Sequence, residues 1–496
     1  FRRVLFRSPQ EEQAILKQWF AAGMPLPGAE DNKPSDPKPT RPAFVDEEVW
    51  LDAMLADLRA LPPSDQRQAR YFTLGHLYNA GLGEKELLAQ RRALAKMLNS
   101  LSWNPKMARL VPLGPGNAVV RVFLRDLDWD DAKWSRILAV PENYFLRHGL
   151  DQERELESLT GTKVAWVRSD WFVFKASKPP LYHDLLAPRR DPHALDSDAA
   201  LERFLGVDVA KNIASCQVAR AGFEGGQTAG GSGVSDNNRL LERHALTRWQ
   251  GAYWKSYDFG GNAGEKSLFE RPFGPKSLPH WTEDQKKLAF VHDGGELIWN
   301  LPNGLQGYLL VNGAGKRIDQ GPPEIVKDRA ESGGLGTNIV NGISCMACHT
   351  QGMKRQTDRI RAHVEELTPT VFTMGDRQVV QRLHPDAAAW KQILDEDEAR
   401  FAAAARSIDA YVVDEANREP VLSVFQRFRD RPVRFEDAAF ELGMSPEKLM
   451  QQMGGPMASL RKQLEDKGVP RDQFLDSFRT MARQMRMDVE IGRAHV

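Results

Sequence analysis

The chain is poor in cysteine. Among 496 residues only Cys216, Cys345 and Cys348 occur, too few for a disulfide framework. It lacks an excess of charge of either sign. Its 67 Lys and Arg balance 67 Asp and Glu, which argues against the clustered basic surface that nucleic acid requires. No run of 18 or more apolar residues occurs, so no stretch reads as a membrane-spanning helix. No internal repeat recurs at a fixed period. What is present is an apolar fraction of 41%, ordinary for a globular chain, and a length that predicts roughly two to four domains.

Both ends are set aside before the rest is read. Residues 1–8 (FRRVLFRS) and 491–496 (IGRAHV) match translated sequencing-adapter sequence, so they carry no fold or function. The natural chain is expected to extend beyond both ends, and the lack of a leader peptide is uninformative.

Residues 9–27 read as a helix. Ile15, Leu16, Trp19 and Phe20 make one apolar stripe, and Gly23, Pro25 and Pro27 stop it. The Pro-, Asp- and Lys-rich stretch 28–42 reads as a linker. Residues 43–105 read as mostly helical, with Trp50, Met54, Leu55 and Leu58 at helical spacing and a second amphipathic run at 87–101. A β-rich part follows. The β-branched and aromatic stretches 118–124 and 164–174 read as strands. Ser197 is placed to cap a short helix at 198–205, and residues 222–238 form a Gly-rich loop. The clearest hairpin joins 296–299 to 305–311 through Pro302, Asn303 and Gly304. Residues 338–490 turn helical again, with the longest stretches at 387–412 and 434–464. The expected fold is a multidomain α+β protein: a helical N-terminal segment, a central domain at 43–335 that becomes β-rich, and a mostly helical domain with its tail at 336–490.

Residues 345–349 read Cys-Met-Ala-Cys-His, the C-x-x-C-H signature of covalent haem attachment. On a helical turn, positions i, i+3 and i+4 share one face. Cys345 and Cys348 then reach the two vinyl groups of one porphyrin edge, and His349 presents its imidazole to the iron. A zinc site would need about four ligands, and no second cysteine pair exists; Cys216 is the one further thiolate, and adjacent Cys348 and His349 chelate one metal poorly. A thioredoxin-like dithiol would need a βαβ setting, and the preceding segment is not a clear strand. Cys216 itself reads as a buried thiol outside the motif.

Several stretches resemble a family of large bacterial cytochrome c domain-containing proteins related to the planctomycete-type cytochrome c group. They are LGHLYNAG (74–81), LNSLSW (98–103), SDWFVFKASKPPLYHDLL (169–186), SGVSDNNRLLERH (232–244), GAYWKSYDF (251–259), HDGGELIWNLPNGLQGYLL (292–310) and NGISCMACHTQGM (341–353). The likeness covers roughly residues 70–353 well and the helical tail less clearly. It implies haem c bound at Cys345, Cys348 and His349, electron transfer, and attachment outside the cytoplasmic membrane, in the periplasm or beyond. The implied partner is a redox protein or a small-molecule electron donor or acceptor. Apart from the haem motif, the shared stretches come with no known role. The Glu-Glu pair, Trp19 and Gly-x-Pro ending of residues 9–27 also resemble the last helix of a cytochrome c domain, which implies a second haem domain ahead of residue 9.

The sequence departs from a small cytochrome c at the sixth iron ligand. No Met occurs between Met374 and Met444, and Met374 is only 25 positions past His349. Met353 is read as lying on the same helical side as His349, and Met346 lies inside the motif. His292, in the shared hairpin stretch, is the leading distal candidate; Met374, His363 and His384 are alternatives, and an open or water-bound iron remains. His76, His183 and His244 sit in shared stretches further upstream, where a hydrogen-bonded histidine is the ordinary role. Trp166, Trp171, Trp254 and Trp299 read as core residues, and Asp293 and Glu296 as turn residues. Three functions stay open: an electron-transfer cytochrome, a peroxidase-like haem oxidoreductase with a pocket in the central domain, and a binding module with structural or sensory haem. The iron's sixth position discriminates the first two.

Overall fold

Apolar residues at helical spacing and β-branched runs build the first half of the fold. The computed structural model describes residues 43–485 and 488–489, apart from 141–144, 225–237, 329–330, 332–333, 369–370 and 413–418. The expected helix at 9–27, the linker and most of the Gly-rich loop lie outside the described residues. Helix Glu47–Arg59 buries Trp50, Leu51, Met54, Leu55 and Leu58, and helix Glu84–Ser100 buries Leu87, Leu94, Met97 and Leu98. Both flank a four-stranded sheet in the order Val111–Leu113, Val119–Phe123, Ala69–Thr73, Trp166–Arg168. Its last pair is parallel.

The strand expected at 164–174 is only half a strand. It ends at Arg168, and Ser169–Ala176 is a helix. Trp171, Phe172, Val173 and Phe174 are all buried there, and a run that is apolar all round gives a helix no polar face to reveal its period.

The second sheet is a six-stranded antiparallel meander. It runs Ala219–Glu224, Asn238–Ala245, Ala252–Asp258, Gly294–Asn300, Gln306–Asn312 and Arg317–Ile318, each strand paired to the next. The expected hairpin is its fourth and fifth strands, with Gly304 at φ +91° in the turn. The first three strands escaped the sequence reading because they carry charge into the interior. Arg220 and Glu242 stand opposite each other and pair, and so do Arg239 and Asp258. All four are buried. Such pairs hide the apolar alternation by which a strand is usually recognised. Side chains alternate between the two faces: Trp254, Ser256, Glu296 and Ile298 fall on one, Tyr253, Lys255, Leu297 and Trp299 on the other.

Helices make up nearly all of the described part beyond residue 343. The stretch expected at 387–412 is the helix Ala387–Arg406. The one expected at 434–464 is broken into Phe435–Glu441, Pro446–Gln452 and Ala458–Asp466. The first break carries Gly443 at φ +66° and a new start at Ser445-Pro446, where the serine caps and the proline takes the first turn. Helix Pro420–Asp430 packs on Ser169–Ala176 and Glu84–Ser100. Lys96 and Glu419, both buried, form an ion pair of 2.5 Å between these parts. Residues 44–496 form one compact unit. The architecture is α+β. Among the described residues no helix is long and apolar enough to cross a membrane.

Candidate functional site

The motif begins with a glycine that only glycine can be. Gly342 sits at φ +89°, and a Cβ there would lie 2.5 Å from the Ser177 carbonyl oxygen. It opens the short helix Ile343–Cys348. Beside it, the buried Asn341 donates to His183 Nε2 at 2.9 Å. The stretches 169–186 and 341–353 are therefore in contact, and the first holds the helix of the second in place. His183 is kept neutral, lowered to about 3 by burial and by Arg317.

The helix stops at Cys348. His349 is its C-cap, and its Nδ1 donates to the Gly352 carbonyl at 3.0 Å. A carbonyl can only accept, so Nδ1 carries a proton and Nε2 is the nitrogen left to face away from the backbone. That nitrogen faces a cleft between the 339–356 segment and one face of the six-stranded sheet. The cleft encloses about 970 Å³, its open mouth included. Cys345, Cys348 and His349 all line it, and among the described residues that do so His349 is the only histidine. The walls are largely apolar: Phe223, Leu241, Ile298, Leu310, Ile325 and Val326. Polar groups are few. Arg239 is bound to Asp258 through two hydrogen bonds of 2.5 and 2.9 Å. Lys354 is half-buried at the wall.

Glu296 is the side chain that faces His349. Its Oε2 lies 3.8 Å from His349 Nε2. Burial would raise its carboxyl, but His349, Arg239 and the Cys345 thiol outweigh burial and hold it down at about 2. Burial and Glu296 together push the Cys345 thiol well above its ordinary range, the reverse of the lowered thiol that a dithiol exchange site needs. Among the described residues no cysteine is in a disulfide. Nor does any group of three or more His, Cys, Asp or Glu side chains stand where it could hold a bare metal ion. Glu296 is thus a strand residue of the cleft, where the sequence suggested a turn. Its signal was present but unread: it is the one acidic position in the run Gly294–Asn300.

The structure does not bring the two leading distal candidates to the motif. His292 lies on the other side of the sheet, its ring edge-on to Tyr257 at 4.9 Å. There it lines a separate cleft with Asp198, Glu202 and Lys255, and burial and Lys255 lower it to about 4. The hairpin does form, but the strand alternation that sends Glu296 inward sends Tyr257, and His292 with it, outward. Met374 is 65% exposed at the start of helix Met374–Leu383. His363 packs on Phe269, and His384 Nδ1 bonds Asp358 at 3.0 Å. His244 lies near Glu242 and hydrogen-bonds Asn212. Met353 is the reverse case. Helical projection removed it, but the helix ends before His349, Gly352 turns the chain at φ +98°, and the buried Met353 reaches the cleft wall. Cys216 is half-buried at φ +53°, and Trp166, Trp171, Trp254 and Trp299 are buried, as expected for core residues.

These residues have the chemistry a c-type haem would need: two thiols on one helical turn, an imidazole at its C-cap with one ring nitrogen committed to a backbone carbonyl, and an apolar-walled cleft in front of them. Compared with family models, curated proteins and solved structures, the chain matches none.

Proposed function

We propose that the chain is a c-type cytochrome that carries haem on Cys345, Cys348 and His349 and transfers electrons outside the cytoplasm. The observation that carries this reading is the fixed imidazole. His349 Nδ1 is held by the Gly352 carbonyl, so Nε2 is the nitrogen turned to the cleft that both cysteines line, with Glu296 across from it. A second hydrogen bond of this kind sets the tautomer of a metal-ligating histidine and raises its basicity. Each thiol would add across one vinyl group, sulfur to one carbon and hydrogen to the other, with no net oxidation. Bound there, the iron supplies a one-electron couple whose potential follows ligation and burial. The chain's own part is to hold that group rigidly and keep water from it. Phe223, Leu241, Ile298 and Leu310 would exclude water on the sheet side, and Lys354 at the cleft wall would offer a cation to a propionate.

A second reading, a haem-dependent oxidoreductase, is favoured by Glu296. A carboxylate opposite the imidazole is a hard ligand or a proton carrier, where an electron carrier ordinarily places methionine or histidine. The test is expression with export in a host that matures c-type haem. The protein should keep its haem through acid-acetone extraction, and the double variant Cys345→Ala, Cys348→Ala should release it. Haem that washes out of the unsubstituted protein would overturn the reading.

A further inference from the structure

The short helix Leu181–Leu186 and the loop before it reach the motif just ahead of its own helix. The Ser177 carbonyl oxygen and the Tyr182 ring lie 2.5 and 3.1 Å from where a Cβ of Gly342 would be, so the turn that opens Ile343–Cys348 has no room to slide. One residue earlier, Asn341 is fully buried, and its Nδ2 reaches two acceptors, His183 Nε2 at 2.9 Å and the Ile318 carbonyl at 3.4 Å. A carbonyl only accepts, which sets the amide with its nitrogen toward both. His183 Nε2 must then accept, and it can. Burial and Arg317 keep the ring neutral, lowered to about 3, and its one proton is on Nδ1, 3.6 Å from Asp319.

The same helix also fastens the ring beside the imidazole. The Tyr182 hydroxyl accepts from the Tyr308 backbone N–H at 3.1 Å. The Tyr308 ring packs near the His349 ring, 6.0 Å between centroids and tilted by 32°. Tyr182, His183 and Tyr308 are all buried, and none of them is among the residues lining the cleft. The turn that carries His349 and the ring its imidazole lies against are thus tied to one short helix, and Asn341 bonds that helix across 158 positions of the chain.

We propose that His183 is a positioning residue for the haem ligand. By accepting from Asn341 it fixes the turn on which His349 stands, and with it the plane of the imidazole that the iron would bind. The proposal rests on the haem reading above and gives the shared stretch 169–186 a role in it. Without the acceptor, the buried Asn341 nitrogen keeps only its longer contact to Ile318. A buried donor so left seeks another partner, and the turn shifts with it. Supporting groups of this kind act on a metal through its ligand, so their loss is felt at the metal.

The experiment compares His183→Leu, which keeps bulk and loses the acceptor, with His183→Gln, which keeps an acceptor. In haem-loaded ferric protein, the unsubstituted chain and His183→Gln should each give one set of g values by electron paramagnetic resonance. His183→Leu should give at least two, from several settings of the imidazole, with its haem still fixed through acid-acetone extraction. A second measurement needs no haem. In the reduced full chain made without haem attachment, Cys345 is buried, and its alkylation under native conditions is followed by mass spectrometry. It should run about tenfold faster in His183→Leu, the effect of one lost buried hydrogen bond on a local opening, and keep its rate in His183→Gln. Cys216, outside the motif, should be alkylated alike in all. Asn341→Ala removes the donor and should match His183→Leu, and the double variant should go no further. A His183→Leu protein with a single set of g values, or with an unchanged Cys345 rate, would overturn the proposal. So would a His183→Gln protein that behaves as the leucine variant does. A chain that takes up no haem sinks the haem reading alone, since the alkylation rates still judge His183.

Discussion

Glu296 is the residue on which the chemistry of the cleft turns. Its carboxylate lies 3.8 Å from His349 Nε2, so it would stand close to an iron held by that nitrogen. An anion at such range favours the oxidised, more positive iron. With an effective dielectric near 20 and a charge about 5 Å away, the effect is ~3 kcal/mol at most, or roughly 130 mV for one electron. Glu296→Gln in haem-loaded protein should raise the midpoint potential by about 50 to 130 mV, read by potentiometric titration with optical detection. The charge-transfer absorption of methionine-ligated ferric haem should be absent before and after the change. A potential unmoved by the substitution would place the carboxylate away from the iron, and a methionine band would point to Met353.

At the scale of elements, the second sheet stands on paired charges. Glu242 accepts from Arg220, from the Tyr257 hydroxyl and sits beside His244, all buried. Burial would raise its carboxyl, but Arg220 and His244 hold it at about 2, below its ordinary 4.5. The unfolded chain therefore binds the extra proton between those values, and stability falls as pH drops from 4.5 towards 2. Glu242→Gln should cost on the order of 3 to 5 kcal/mol at pH 7, because it strands the Arg220 charge in the interior. The gap to the unsubstituted protein should narrow in acid, across that window. Denaturant unfolding at pH 7 and pH 3 checks it; a gap of constant size would mean that the pair contributes no linkage.

The same ionic pairs explain what could be read from the residues alone. The hairpin at Gly294–Asn300 and Gln306–Asn312 was legible because its turn is Pro-Asn-Gly and its strands are mostly apolar. Strand Asn238–Ala245 was not, since Arg239, Glu242, Arg243 and His244 look like a surface until their partners on neighbouring strands and helices are known. The C-x-x-C-H run was legible because three residues at fixed spacing carry it. What faces it was not, because that depends on which side of a strand each residue takes and on where a short helix ends. His292 and Met353 were misplaced for those two reasons.

At the scale of the molecule, the N-terminal and C-terminal helices share one core. Trp171, Phe174, Phe425 and Phe428 belong to the same apolar cluster, and Lys96 meets Glu419 inside it. Lys96→Met should therefore destabilise the whole unit by about 3 to 5 kcal/mol, since Glu419 stays buried without its cation. Adding Glu419→Gln should recover most of that loss. Unfolding followed by tryptophan fluorescence and by far-ultraviolet circular dichroism should give one coincident transition in each variant. Two separated transitions would show that the halves fold apart.

The six-stranded sheet has a consequence for how such a chain can vary over generations. The central strands serve two unlike neighbourhoods at once, the cleft on one face and, on the other, a buried layer that holds Arg220, Glu242, Leu297 and Trp299. Deleting one residue at the start of Gly294–Asn300 would put Leu297 where Glu296 stands and Trp299 where Ile298 stands, and an insertion would shift the register the other way, exchanging the two faces along the rest of the strand. Insertions are thus tolerable between the strands and ruinous within them. Variants of this protein should differ freely in loop length, while the sheet keeps its residue count and changes only by substitution.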